Sequence, residues 1–359
     1  MHRIPLAAAL LGLSGTAAFG AGVERSPQSV GILFEEGNYG EVTFGLLLPD
    51  VTGTDPAGTR SGDMASSFTS ARVGFKLDVN DRFDAALIID EPIGADTAYP
   101  FGTGYPLEGT TATLDSVGVT GILQYRFDDR ISVHGGVRSV RTSGGVRNLL
   151  GVYDLDTSRE TDLGFLLGAA YEIPEIALRV SLTYNSEITH DFTATETVGG
   201  ITQPQSRFST TVPQSVNLEF QSGIAEDTLI FGSVRWVDWA AFDITPDAYT
   251  GSVDPGNALV DFAGSATTIN LGLGRQLNDN WAVAGAVHYD TGTGGEAGNL
   301  QPVDGTRGAS VSAQFTEGGV HIGGTLRYDR FDTVTTRQIG AEFADNSAWS
   351  GGVSIGYSF

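Results

Sequence analysis

Apolar and polar residues alternate along most of this chain. The clearest case is the last stretch, 349–359, which reads WSGGVSIGYSF: Trp349, Gly351, Val353, Ile355, Tyr357 and Phe359 share one parity, and serines and glycines hold the other. A period of two belongs to a strand whose successive side chains point to opposite faces. The same alternation predicts thirteen earlier strands. They are 39–48 (Val42, Phe44, Leu46 and Leu48 on one face), 68–79, 83–90, one ending at Phe127, 131–141, 161–173, 176–186, 213–222, 228–238, 266–276, 281–291, 308–316 and 320–330.

The connections between these strands also alternate. Those after strands two, four, six, eight, ten and twelve are tight, among them Asn80-Asp81, Asp128-Asp129 and Pro174-Glu175; those after the odd strands are long. A soluble sandwich has no reason to sort its loops by parity. A single-chain outer-membrane barrel does: it has an even strand number, short periplasmic turns and long outer loops. The predicted fold is therefore all-β, a 14-stranded antiparallel transmembrane β-barrel, with both termini on the periplasmic side. Tyr125, Phe127, Tyr171, Trp281, Tyr357 and Phe359 fall at the short-turn ends, where interfacial aromatics belong. A last strand ending on a bare phenylalanine resembles the assembly signal of bacterial outer-membrane barrels, which implies the barrel assembly machinery as a partner.

Composition fits this reading. The 359 residues are 40% hydrophobic, too few for a bundle of membrane helices, and beyond the N-terminus no apolar run reaches the roughly 18 residues of a spanning helix. Alternation conceals a barrel from hydropathy because half of each strand faces the lumen. There is no cysteine, so no disulfide framework or thiolate metal site. The net charge of −23 argues against nucleic acid as a partner and suits acidic outer loops amid membrane lipid and lipopolysaccharide. His2 and Arg3, the apolar run 4–13 and the small-x-small site Ala18-Phe19-Gly20 read as a signal peptide, 1–20. The expected organisation is then a short periplasmic plug segment, 21–38, and a barrel, 39–359.

Parity also assigns the interior. Arg72, Lys76, Arg126, His134, Arg138, Arg179, Arg235, His288 and Arg327 all point to the lumen. Arg72, Arg138, Arg235 and Arg327 lie in the outer halves of their strands, where a guanidinium fork can hold a carboxylate head group. The alternative is that they pair with inward Asp162, Glu219, Asp290 and Asp329. Strand nine turns Leu229, Phe231, Arg235, Val237 and Trp239 inward, and such apolar bulk suits a greasy ligand path better than a water-filled pore. A slip of one residue would turn these groups to lipid instead. The loops 188–212 and 239–262 carry Phe192, Phe208, Phe242, Tyr249, Leu259 and Val260. They form either a capture groove for hydrophobic molecules or a lid packed on itself. The candidate ligand-binding residues are therefore Arg72, Arg138, Phe231, Arg235, Trp239, Phe242 and Arg327.

Catalytic and metal motifs do not stand up. Gly352-Val353-Ser354-Ile355-Gly356 matches G-x-S-x-G, but a nucleophile elbow needs a strand-to-helix turn, and no chain remains for a helix. Asp154-Leu155-Asp156 lacks the rest of a calcium loop, and the histidines show no metal-ligand spacing. No catalytic residue, metal or cofactor is expected.

The stretch 213–242, PQSVNLEFQSGIAEDTLIFGSVRWVDWAAF, with YNSEITHDF at 184–192, resembles the FadL/TodX family of outer-membrane transporters of long-chain fatty acids and hydrophobic compounds. DEPIGADTAYP at 90–100 and RSPQSVGILFEEGNYGEVTFGLLLP at 25–49 resemble it too. The resemblance implies a fourteen-stranded barrel, an N-terminal plug, passive uptake of a long-chain fatty acid or other hydrophobic small molecule, and a lateral exit at a kink in strand three. The matching positions are Asp90, Pro92 and Gly94, where proline denies a ladder hydrogen bond and glycine permits a bend; Pro92 either opens the wall or simply ends the strand. The family's longer plug with its Asn-Pro-Ala motif is missing. The expected function is passive outer-membrane uptake of such molecules. A general diffusion porin is the alternative, with a barrel lipid hydrolase or an adhesin behind it.

Overall fold

The computed structural model describes residues 22–359, so the expected signal peptide lies outside the described residues. Fourteen strands close a barrel: β1 (Tyr39–Asp50), β2 (Phe68–Asn80), β3 (Phe83–Asp90), β4 (Thr111–Arg126), β5 (Ile131–Leu149), β6 (Glu160–Ile173), β7 (Leu178–Asn185), β8 (Ser215–Ala225), β9 (Thr228–Val237), β10 (Ala266–Gln276), β11 (Trp281–Asp290), β12 (Thr306–Glu317), β13 (Val320–Phe331) and β14 (Ser347–Ser358). Each is antiparallel to its neighbours. Closure is made by β14 on β1 in an unbroken register from Tyr39–Ser358 to Asp50–Ser347. Every backbone group of the seam is thereby paired, which a strand edge facing lipid requires.

The faces follow the predicted parity. Phe44 at 58% exposure, Leu163 at 69% and Val353 at 51% stand on the outside, while Lys76, His134, Arg138, Arg179, Arg235 and Arg327 are buried within. In a barrel this inversion is what the bilayer selects: apolar residues outward to lipid, polar ones to the lumen. Aromatic pairs mark the short-turn rim, with Tyr125 against Phe83 and Phe127 at ring separations of 5.0 and 4.9 Å, Trp281 against Phe315 at 5.2 Å, and Phe359 against Phe75 at 5.9 Å. On the long-loop side Tyr328 packs against Trp349 with tilted rings 4.9 Å apart.

Two features exceed the predicted elements. β5 runs to Leu149, past the predicted end at Arg141, and β4, which begins at Thr111, rises beside it. The segment 188–212, expected as loop, is a hairpin of Ile188–Val198 and Ser206–Val212, joined to Tyr153–Thr157. The long loops share one buried apolar cluster above the barrel, with Tyr153 against Tyr249 at 5.3 Å between loops, and Phe192 against Phe208 at 5.5 Å and Tyr99 on Tyr105 at 5.5 Å within them. Of the two readings of these loops, a packed lid is therefore the one formed, and it encloses a cavity.

Glu196 ties the lid together. It is buried at 1% exposure and accepts hydrogen bonds from Tyr153 Oη (3.0 Å), Ser206 Oγ (2.9 Å) and the backbone N–H groups of Ala248 (3.1 Å) and Tyr249 (2.9 Å). Four donors from three segments offset the cost of burying a carboxylate. Burial, joined by the same carboxylate, holds the Tyr153 phenol well above its ordinary range.

Candidate functional site

Inside the lumen lies the N-terminal segment 22–38. Its path is drawn by inward side chains of the wall: Asn217 donates to Pro27 O (2.9 Å), Ser29 Oγ donates to Glu219 (2.6 Å), Ser26 Oγ to Asp90 (2.6 Å), and Lys76 Nζ to the carbonyls of Glu35 (2.7 Å) and Gly37 (3.1 Å). Val30, Ile32 and Leu33 pack against inward Ile88, Ile122 and Leu166, which makes an apolar layer across the periplasmic half. Glu24 reaches Arg235 at 2.6 Å; burial pushes its carboxyl upward against the opposing pull of that guanidinium.

The inward arginines are thus mostly occupied. Arg235 holds Glu24 and Asn217 Oδ1 (2.5 Å), Arg327 forms a two-pronged pair with Asp329 (2.6 and 2.9 Å), and Arg72 pairs with Glu41 at 2.9 Å. Of the four carboxylates expected as partners, Asp329 takes that role. Asp162 holds His190, Glu219 takes Ser29, and Asp290 takes Thr268. Arg138 makes no hydrogen bond among the described residues; it lines a small polar space with Asp90, Thr120 and Asn185.

A largely apolar cavity sits above this, under the lid, with about 740 Å³ of empty space including its mouth. Val23 forms part of its floor. Ile93 and Ala95 come from the stretch after β3, Leu114 and Val146 from the tops of β4 and β5, Phe192 and Phe208 from the hairpin, Phe242, Ile244 and Leu259 from the loop after β9, and Leu300 from the loop after β11. Of the predicted ligand-binding residues, Phe242 lines it. Trp239 stands behind Phe242 at 5.9 Å, Phe231 belongs to a separate cluster with Leu229 and Ala282, and Arg72, Arg138, Arg235 and Arg327 lie outside the lining. Alternation in ITHDFTATETV, which puts Ile188, His190, Phe192, Ala194 and Glu196 on one face, was the sequence signal for the hairpin wall.

The wall beside the cavity is broken where Asp90, Pro92 and Gly94 fall. Asp90 pairs with Gly118 and Ala95 with Leu114, so the four residues 91–94 face only 115–117. Ser116 Oγ satisfies both the N–H and the carbonyl of Ile93. The ladder between β2 and β3 ends at Val73–Ile89; above it, 68–72 pair with β1 alone. The N-terminal segment covers this place. Gly94 N–H donates to Val23 O (2.9 Å) and Arg25 N–H to Pro92 O (3.2 Å). The Arg25 guanidinium binds Asp96 (2.5 Å) and Glu91 (3.4 Å) and lies over the Phe68 ring at 4.1 Å. A Cβ at Gly94 would fall 2.4 Å from Arg25 Nε, so the glycine is what lets the guanidinium sit in the wall.

One polar row resembles a catalytic set. His288 contacts Ser310 Oγ through Nε2 (2.9 Å) and Asn270 Oδ1 through Nδ1 (2.6 Å). All three lie within β10, β11 and β12, whose N–H groups serve the strand ladders, so no pair of backbone donors converges beside Ser310 as an oxyanion would need. The row reads as cross-strand pairing of a polar lumen.

A closed fourteen-stranded antiparallel barrel with apolar residues outward and aromatic rims is a multi-pass protein of the outer membrane. Residues 35–299 match the family described as outer membrane protein transport protein (OMPP1/FadL/TodX), and the chain belongs to that family of transport channels. Among solved structures, a Pseudomonas aeruginosa FadL homologue aligns with TM-score 0.73 at 15% identity over 96% of each chain. The Ralstonia pickettii toluene transporter TbuX aligns with TM-score 0.64 at 14% identity over 96% of this chain and 97% of that one, and the Pseudomonas putida toluene transporter TodX with 0.65 at 12% over 96% of each. At these identities the likeness is one of fold. No curated protein matches the chain.

Proposed function

We propose that this channel takes up hydrophobic small molecules passively, through capture under the outer loops and release to the side at the break in β3. The observation that carries the proposal is the apolar cavity beneath the lid, walled by Phe192, Phe208, Phe242 and Leu259 and bordered by Ile93 of the break. Ile93 belongs to the stretch 91–94, beyond the end of the β2–β3 ladder, so a ligand in the cavity borders that place. The N-terminal segment then serves as plug and cover, since Val23 and Arg25 occupy the gap. The solved TodX and TbuX are titled toluene transporters, which agrees with an apolar load. A diffusion porin is disfavoured by the apolar layer of Val30, Ile32 and Leu33 across the lumen, because an open polar channel is what a porin needs.

The test is uptake by cells lacking their own members of this family. Labelled hydrocarbon and long-chain fatty acid are offered beside a sugar of similar mass. The proposal expects faster entry of at least one lipophile than in empty-vector cells, lost in Phe242→Asp, with sugar entry at background. Sugar entry that rises while lipophile entry stays at the empty-vector rate would establish the porin instead.

A further inference from the structure

We infer that the outer loops form a charge filter over the cavity, which admits neutral lipophiles and holds off carboxylates of the same skeleton; this rests on the cavity being the ligand's seat. The lining itself contains no Asp, Glu, Lys or Arg among the described residues. Its one titratable side chain, His190, is already met by Asp162 Oδ2 at 2.7 Å. The loops around it are of one sign. The seven long loops between the barrel strands carry twenty acidic residues against four arginines and no lysine. Three that line the cavity, 91–110, 238–265 and 291–305, carry ten acids and no basic residue. Of these ten, Glu91 and Asp96 pair with Arg25, and Asp261 pairs with Arg337. The other seven have no ion pair among the described residues.

The acids reach the edge of the cavity. Ile244 and Val260 both line it and are cross-strand partners, and the neighbouring pair, Asp243 and Asp261, sets two acidic residues opposite one another. Like charges so placed repel. Burial, joined by Asp261, pushes the Asp243 carboxyl upward, so further negative charge is resisted here. Asp247 and Glu296 stand exposed on loops that line the cavity. A carboxylate approaching the cavity therefore meets a field of its own sign, which lowers its local concentration. Once inside, it would lie desolvated with no cation to answer it. The lumen arginines do not supply one: Arg72, Arg235 and Arg327 are paired, and Arg138 lies in the separate polar space with Asp90. A neutral molecule meets neither cost.

The experiment compares equilibrium binding of methyl 1-naphthoate and 1-naphthoate to the full protein in zwitterionic nanodiscs near neutral pH, with empty nanodiscs as the blank. The two share a skeleton and differ in charge. The inference expects the ester to bind at least about ten-fold more tightly at low salt. The gap should narrow as salt rises from about 10 mM to about 1 M, because screening shortens the reach of the loop charges from about 30 Å to about 3 Å. Replacing three acids that have no ion pair, by Asp243→Asn, Asp247→Asn and Glu296→Gln together, should tighten carboxylate binding about three-fold at low salt and leave the ester unchanged. Carboxylate bound as tightly as ester by the unaltered protein overturns the inference while the cavity stands as a lipophile site. So does a gap that salt leaves unchanged, since the greasy lining alone would then make the choice. Failure of both to bind overturns the cavity's role and the inference with it. The salt series on the unaltered protein decides the matter even if the variant fails to fold.

Discussion

Arg25 is the side chain whose loss should most directly loosen the wall. Its guanidinium, 6% exposed, spans from Asp96 at 2.5 Å to Glu91 at 3.4 Å, both acids being more than a quarter exposed, and covers the Phe68 ring at 4.1 Å. Each partly exposed ion pair contributes about 0.5–1 kcal/mol after solvent screening, and the cation–π contact about 0.5–1 kcal/mol. Arg25→Ala therefore removes about 1.5–3 kcal/mol of local closure, a 10- to 150-fold rise in the open population. The backbone bonds of Gly94 to Val23 and of Arg25 to Pro92 remain, so the segment detaches only transiently. Hydrogen exchange in nanodiscs reads this directly: peptides covering 22–30 and 90–98 should exchange faster by that factor, while those in the middle of β5 should not change. Arg25→Lys, which keeps the charge but not the fork, should fall between. If exchange at Gly94 is the same in Arg25→Ala as in the unaltered protein, the guanidinium does not hold the break shut, and the cover proposed here is wrong.

Three further expectations concern the segment, the last strand and the polar row. Burial, with Glu41 nearby, pushes the Glu35 carboxyl up to about 7 against the opposing Arg179 and Lys76. The docked segment therefore holds this proton more tightly than the free one. Its stabilisation is complete below the ordinary carboxylate range and is lost as pH rises through about 7, so exchange of 30–38, corrected for its intrinsic rate, should quicken from pH 6 to 8 and lose this dependence in Glu35→Gln. Deleting Phe359, which stacks on Phe75 and Tyr357, should lower the amount of folded barrel in the outer membrane several-fold by heat-modified gel mobility. A p-nitrophenyl ester should be hydrolysed no faster by the protein than by Ser310→Ala; a rate lost on that substitution would make the Asn270–His288–Ser310 row catalytic.

The strands were legible because lipid leaves an unmistakable period. Phe44, Leu46 and Leu48 must face the bilayer, so Thr43 and Leu47 must face in, whatever the loops do. Above the membrane this signal fades. The run after Arg141, TSGGVRNLL, meets water and lid rather than lipid, so it carries no apolar outer face, and β5 was expected to stop eight residues before Leu149. The hairpin 188–212 kept its alternation, in Ile188, His190, Phe192 and Ala194, but fell where the barrel pattern expects the long loop after strand seven, so it was read as loop.

The site was less legible than the wall. That Arg72, Arg235 and Arg327 point inward followed from parity. Whether they are free did not, because Arg235 is met by Glu24, 211 positions away, along a path that only the threaded N-terminal segment creates. Pro92 and Gly94 announced a break, yet not that Arg25 would fill it. Thr142, His190 and Thr210 line the cavity from β5 and both arms of the hairpin, and no spacing in sequence brings such residues to one cavity. Phe242 could be named because an aromatic in a loop this apolar has little else to do than pack inward.

The most direct test of the account is lipophile binding by the nanodisc-embedded protein with its cavity filled. Ala112 and Phe242 both line the cavity, and Ala112→Trp should occupy it while leaving barrel formation intact by heat-modified gel mobility. The account predicts saturable binding of a lipophile such as naphthalene by the unaltered protein and at least ten-fold weaker binding by Ala112→Trp. Equal binding by both would place the ligand elsewhere in the barrel and contradict the cavity as its seat.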